Sequence, residues 1–265
     1  MYDRFNRHIN YLRISVTDRC NLRCTYCMPE EGIPLMQHDD ILSFEEITQF
    51  TRLAVSKGIT KVRLTGGEPL VRKGITELVS MLASIEGIED LSMTTNGILL
   101  EQFAGELKKS GLRRVNISMD TVDDDRYCEI TRNGDLGKVF AGIKAAQKAG
   151  LGPIKINCVL LGQPDEDTQK LKDFCRENKL SLRFIHQMNL KNGEFSKVEG
   201  GEGGNCSRCN RVRLLANGDV KPCLFSDLAF NIRELGHEKA LQLAIGEKPQ
   251  TGTFNQSGQF YNIGG

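Results

Sequence analysis

Along the chain, short runs in which apolar and polar residues alternate give way, time after time, to stretches in which apolar residues recur every three or four positions. Alternation marks a half-buried strand, and the longer period marks an amphipathic helix. The strand-like runs are 12–17, 61–67, 90–97, 113–120, 154–160 and 180–188. Helical periodicity fills the spaces between them. At Ser43, "SFEE" forms a capping box with Glu46 at the third helical position and leads into "ITQFTRLAVSKG". Further helices are predicted over about 74–86, 99–109, 137–149 and 166–178, the one over 137–149 closing on Gly150.

Six strands alternating with helices predict an α/β fold with a parallel sheet and right-handed crossovers. Six units describe an incomplete (β/α)6 TIM-like barrel better than a closed eight-fold one. Chemistry in such a sheet gathers at the carboxyl ends of the strands. "GGEP", "TTNG", "SMD" and "HQM" all stand at such ends. After Met188 the periodicity stops. "NLKNGEFSKVEGGEGGN" is glycine-rich and polar, and "RVRLLANGDVKPCLF" reads as a hairpin turning at Asn217-Gly218. A helix over "GHEKALQLAIG" and a polar tail ending "FYNIGG" follow. The expected division is a partial barrel over 1–188 and a small C-terminal region over 189–265.

Charge adds a limit. Lys and Arg number 35 against 34 acidic residues, so no global basic field points to nucleic acid or a membrane surface, and any anion site must be local. The opening "MYDRFNRHINYL" lacks the apolar core of a signal peptide and no stretch has the apolar length of a bilayer span, so a cytoplasmic location is expected.

Nine cysteines in a reducing compartment point to metal or catalysis more than to disulfides. Cys128, Cys158 and Cys175 are scattered and read as small apolar residues. Cys20, Cys24 and Cys27 form C-x3-C-x2-C directly after the first strand. Three thiolates can hold three irons of a [4Fe–4S] cube and leave one iron open to another ligand. A zinc site completed by a distant histidine is the competing reading. Cys206, Cys209 and Cys223 form a second triplet, C-x2-C-x13-C, for which a second open cube and a Cys3His zinc site using His237 are both open. Arg211 and Arg213 follow on one strand face, which suits either a polyphosphate or contact with water.

The first triplet, with Tyr26 before its last cysteine, and "TGGEP" at 65–69 resemble the radical S-adenosylmethionine superfamily. "LRISVTDRCNLRCTYCMP", "TGGEPLVRK", "TTNG", "LRRVNISMD", "CNRVRL…PCLF" and "IGG" together resemble the GTP 3′,8-cyclase family of molybdenum-cofactor biosynthesis. The resemblance implies two [4Fe–4S] clusters and S-adenosylmethionine, which yields a 5′-deoxyadenosyl radical that removes the 3′-hydrogen of GTP. It implies cofactor contacts from Tyr26, Gly66, Gly67, Glu68, Thr94, Ser118, Asn157 and Met188. It implies nucleotide contacts from Arg13, Lys61, Arg63, Lys155, Arg183, Arg211 and Arg213, with Arg13, Arg211, Arg213 and the tail's Gly264 and Gly265 taking part in catalysis. Basic residues on strands facing a barrel interior are costly without an anion, which gives this assignment physical support over basic side chains reaching out to water. A low-potential electron donor and a downstream pterin synthase are the implied partners, and a homodimer is one of the oligomeric states left open.

Two departures stand out. Only 17 residues separate Met188 from Cys206, where the family carries a longer segment. His186 occupies a position where the family usually has glutamate. Both bear on the substrate more than on the clusters. They leave open another nucleotide, a peptide substrate, or a non-catalytic metal-binding protein.

Overall fold

The computed structural model describes residues 1–162, 164–256 and 260. Gly264 and Gly265 lie outside the described residues. The six expected strands form as β1 (Tyr11–Ser15), β2 (Lys61–Thr65), β3 (Asp90–Thr95), β4 (Arg114–Ser118), β5 (Lys155–Leu160) and β6 (Ser181–His186). All neighbouring pairs among them are parallel. Helices α1 (Phe44–Ser56), α2 (Ile75–Ala83), α3 (Leu100–Lys109), α4 (Asp124–Thr131), α5 (Leu136–Ala149) and α6 (Glu166–Glu177) supply the crossovers. Ser43 and Glu46 make the reciprocal capping box at α1, and Gly150 ends α5 in a left-handed conformation. The short α4 was not foreseen in the sequence. It is a highly polar segment held at its start by Asp123, whose side chain accepts from the Arg126 N–H.

The strand alternation assigns the two faces of the sheet. Leu12, Ile14, Val62, Leu64, Val115 and Ile117 point outward under the helices with no exposed surface. Each contributes about 1.5–3 kcal/mol of burial. The opposite face carries Tyr11, Arg13, Arg63, Ser92, Arg114, Asn116 and Asn157. This interior is polar and cationic, whereas a barrel that only needs a packed core fills with branched apolar residues.

The C-terminal region continues the same sheet. β7 (Arg211–Leu214) pairs in parallel with β1, β8 (Asp219–Lys221) returns antiparallel through the turn at Asn217-Gly218, and β9 (Phe230–Asn231) joins β8. The full order is β6-β5-β4-β3-β2-β1-β7-β8-β9. Chain from both sides of residue 188 therefore shares one hydrogen-bonded sheet. Two further helices, α7 (Ile232–Leu235) and α8 (His237–Gly246), pack beyond it.

Between β6 and β7 the glycine-rich segment crosses the open side of the barrel. Glu199 forms an antiparallel bridge with Phe184 of β6. A Cβ on Gly201 would stand 3.3 Å from Arg183 Nε, and one on Gly203 would stand 3.9 Å from an Arg211 guanidinium nitrogen. The loop thus runs from β6 to β7 with little more than backbone. Among the described residues, no helix is long and apolar enough to cross a membrane.

Candidate active site

Cys20, Cys24 and Cys27 occupy the loop at the carboxyl end of β1. The loop is fastened to the end of β2 by main-chain bonds: the Gly67 N–H donates to the Thr17 carbonyl at 2.7 Å and the Glu68 N–H to the Arg19 carbonyl at 2.8 Å. A Cβ on Gly67 would lie 2.4 Å from the Arg19 oxygen, and one on Gly66 would lie 2.8 Å from the Thr17 oxygen. The double glycine thus lets the cysteine loop lie backbone against backbone. Sequence alone pointed to room for a ligand; the missing side chains face the loop itself, while both glycines still line the cavity beside it.

Glu68 locks the neighbouring strand end. Its carboxylate is buried and accepts from the Leu70 N–H at 3.0 Å, the Thr95 hydroxyl at 2.7 Å and the Asn96 N–H at 2.7 Å. Burial pushes its pKa up to about 7 against these three donors. Asn96 in turn donates to the Asn21 side chain at 2.8 Å, inside the cysteine loop. Asp120, at the end of β4, accepts from the Tyr26 hydroxyl at 2.8 Å and the Val159 N–H at 2.7 Å. Its carboxyl is pushed up to about 6 by burial. The "SMD" strand end is visible in the sequence, but Asp120's hold on Tyr26 is not; a carboxylate at a strand's carboxyl end is the one signal for it.

A cavity of about 200 Å³ opens here, lined by the three cysteines and by all eight expected cofactor residues: Tyr26, Gly66, Gly67, Glu68, Thr94, Ser118, Asn157 and Met188. The Thr94 hydroxyl is buried in its wall with no hydrogen-bond partner among the described residues. His186 also lines it, its Nε2 lying 3.1 Å from the exposed Glu199 carboxylate.

A second cavity, of about 180 Å³, contains Cys206, Cys209 and Cys223 together with Arg13, Arg63, Arg183, Arg211 and Arg213. Cys209 stands two residues before β7 and Cys223 two residues after the antiparallel β8, so both lie at the amino end of β7. The triplets therefore sit at opposite ends of one polar interior. Their cavities share Asn157, Ile185, Met188 and Phe260 as walls.

Between them the register sets Arg213, Arg13 and Arg63 side by side in one row across β7, β1 and β2. Two unit charges about 5 Å apart repel by roughly 3 kcal/mol at an effective dielectric near 20. Burial lowers the pKa of each of the three, and the neighbouring guanidiniums lower that of Arg13 further. A multiply charged anion reverses the sign of this interaction. Arg183 Nε is also buried without a hydrogen-bond partner among the described residues. On the same sheet face Lys61 lies one row nearer the amino ends, beside Tyr11, and Lys155 one row nearer the carboxyl ends, beside Asn116, and neither lines either cavity. Arg114, not singled out in the sequence, holds the interior carboxylate of Asp90, its Nε donating at 2.9 Å.

His237, the histidine considered for a Cys3His site, opens α8 with its ring 6.0 Å from that of Phe50 on α1. Among the described residues no three His, Cys, Asp or Glu side chains converge as closely as a single metal ion requires. A cube spreads its thiolates over separate corners.

The thiols differ sharply between the stations. Burial raises Cys24, and raises Cys27 to about 12. At Cys209 burial also acts upward, but Lys248 and Arg211 outweigh it and bring the thiol down to about 6. In iron-free protein, iodoacetamide at pH 7 is expected to label Cys209 ahead of Cys24 and Cys27, with a pH profile inflecting near 6. Peptide mass spectrometry checks the order.

A cysteine triplet on the first strand's loop, in a six-unit open barrel, defines a protein of the radical S-adenosylmethionine class, and the Radical SAM superfamily model matches residues 14–175. The GTP 3′,8-cyclase of Thermodesulfovibrio yellowstonii is 42% identical over 282 positions, covering 89% of this chain and 88% of its own. That of Moorella thermoacetica is 44% identical, covering 88% of this chain and 86% of its own. The chain belongs to the GTP 3′,8-cyclase family. Among solved structures, Streptococcus suis SuiB bound to precursor peptide SuiA shares the fold at a TM-score of 0.68 and 19% identity, over 91% of this chain and 66% of that one. The 282-position alignment is longer than this whole 265-residue chain, so the relative holds residues where this chain has none.

The superfamily implies a [4Fe–4S] cluster and S-adenosylmethionine. Three half-buried thiols on a braced loop, beside a cavity with an unpaired buried hydroxyl, fit that pair.

Proposed function

We propose that the protein is a GTP 3′,8-cyclase, a lyase that converts GTP to 3′,8-cyclo-7,8-dihydro-GTP on the way to the molybdenum cofactor. The observation that carries this reading is the row Arg213–Arg13–Arg63 set between two cysteine triplets whose cavities share walls. A triphosphate supplies the charge that such a row needs, and guanidinium forks match its oxygens.

Cys20, Cys24 and Cys27 would hold the first cluster and Cys206, Cys209 and Cys223 a second. When bound, the first cluster supplies the electron that cleaves S-adenosylmethionine to the radical that takes a hydrogen atom from the substrate. The protein's own part is placement. Gly66, Gly67, Thr94, Ser118 and Asn157 would hold the cofactor, with Tyr26 held by Asp120. Arg13, Arg63, Arg183, Arg211 and Arg213 grip the nucleotide, Lys61 and Lys155 extend the positive field to either side of their row, and the glycine loop keeps water from the side of the barrel. Gly264 and Gly265 are assigned to the active site by family resemblance. The reading brings with it a low-potential electron donor and a pterin synthase that takes the product.

An anaerobic assay with dithionite and S-adenosylmethionine tests it. GTP is expected to accelerate 5′-deoxyadenosine formation, and Arg213→Ala is expected to abolish that response while keeping the iron content. Absence of acceleration by GTP overturns the nucleotide assignment.

A further inference from the structure

The second triplet is assembled from distant pieces of chain, and two buried cations join them. Arg7, at 7% exposure, donates to the Cys206 carbonyl at 2.8 Å, to Pro249 at 2.7 Å and to Gln250 at 3.0 Å, while its Nε donates to Asp3 at 2.6 Å. Lys248 is 2% exposed and stands beside the segment that Arg7 holds. Its ammonium donates to the Arg211 carbonyl at 2.7 Å and to the Pro222 carbonyl at 2.5 Å. Arg211 lies two residues after Cys209, and Pro222 directly precedes Cys223.

Arg7 has a carboxylate partner in Asp3. Lys248 has none among the described residues, and the opposite charges acting on it are the thiolates of Cys209 and Cys223. A lysine buried without a carboxylate is costly, and the two carbonyls take two of its three N–H groups without cancelling its charge, leaving the third for the Cys209 sulfur. What cancels it is the negative charge of a thiolate-bound centre.

We propose that Lys248 is a positioning residue for the second cysteine triplet, tying the Cys209 and Cys223 arms together and lending a cation to the centre they bind. This rests on the reading that the triplet holds an iron–sulfur cluster. Iron–sulfur potentials follow net charge and hydrogen bonding around the sulfurs, and groups behind metal ligands typically change affinity by about 10–100-fold when lost.

The test uses the full chain with Cys20, Cys24 and Cys27 replaced by Ala, so that only the second station can take iron. After anaerobic reconstitution this parent is expected to hold about four irons. Lys248→Met is expected to lower iron affinity by about 10–100-fold. Lys248→Gln can still donate to both carbonyls; it is expected to keep its iron but at a more negative midpoint potential. Lys248→Arg is expected to restore the parent's potential. Full iron at an unchanged potential in the Met and Gln variants overturns the proposal, and if Lys248→Met does not fold, the potential of Lys248→Gln decides. A parent that takes up zinc or no iron overturns the cluster reading instead.

Discussion

Replacing Gly67 by Ala is expected to abolish S-adenosylmethionine cleavage and, on the proposed two-cluster reading, to leave about half of roughly eight irons. The added methyl would lie 2.4 Å from the Arg19 oxygen, 2.7 Å from the Arg19 carbonyl carbon and 2.9 Å from the Asp18 oxygen. All three are main-chain atoms, so no rotamer change relieves the contact. The loop has to retreat, and Cys20 is the next residue along it. Overpacking of this kind costs about 1–3 kcal/mol, and a shift of about 1 Å at reacting groups costs about a hundredfold in rate. Gly66→Ala, with its nearest contact at 2.8 Å, should retain more activity. Iron per chain and the rate of 5′-deoxyadenosine formation, measured side by side, check the result. A Gly67→Ala protein with full iron and normal cleavage would mean that the loop is not held by this contact.

Glu68→Ala is expected to lower the stability of the iron-free protein by several kcal/mol. It strips acceptors from the Leu70 N–H, the Thr95 hydroxyl and the Asn96 N–H together. Each buried donor left unsatisfied costs about 1–3 kcal/mol, the terms adding incompletely. Against a total of about 5–15 kcal/mol for a folded domain, that is a large share. Glu68→Gln should fall between, because one amide nitrogen must then face a donor. Urea unfolding reports the order: wild type above Gln above Ala. Equal midpoints would remove Glu68 from its role as the brace between the ends of β2 and β3.

Much of this was legible in the chain itself. Period-two alternation located all six barrel strands, and cysteine spacing singled out the two triplets that the fold brings to opposite ends of the interior. Every residue expected at the cofactor reached one cavity, because strand ends and the loops after them converge in this topology. What sequence could not supply was register. Arg13, Arg63 and Arg213 are far apart in the chain, and only lateral pairing reveals them as one row. Lys61 and Lys155 carry the same charge but fall a row to either side, a difference of two residues along a strand. Arg7 and Lys248 had no local signature at all; their importance is in carbonyls contributed by distant segments. The change in composition after Met188 is real, yet the pairing of β7 with β1 carries one sheet across it.

That pairing has a consequence for what the barrel admits. β1 and β7 run together from Tyr11–Arg211 to Ile14–Leu214, and at about 3.3 Å per residue the shared ladder is about 13 Å long. One triplet lies past its top and the other past its bottom, so their spacing is ruled by peptide geometry and not by a hinge. A lone base or amino acid is too short to reach from end to end. On the two-cluster reading, the ladder sets how long a guest must be to touch both ends.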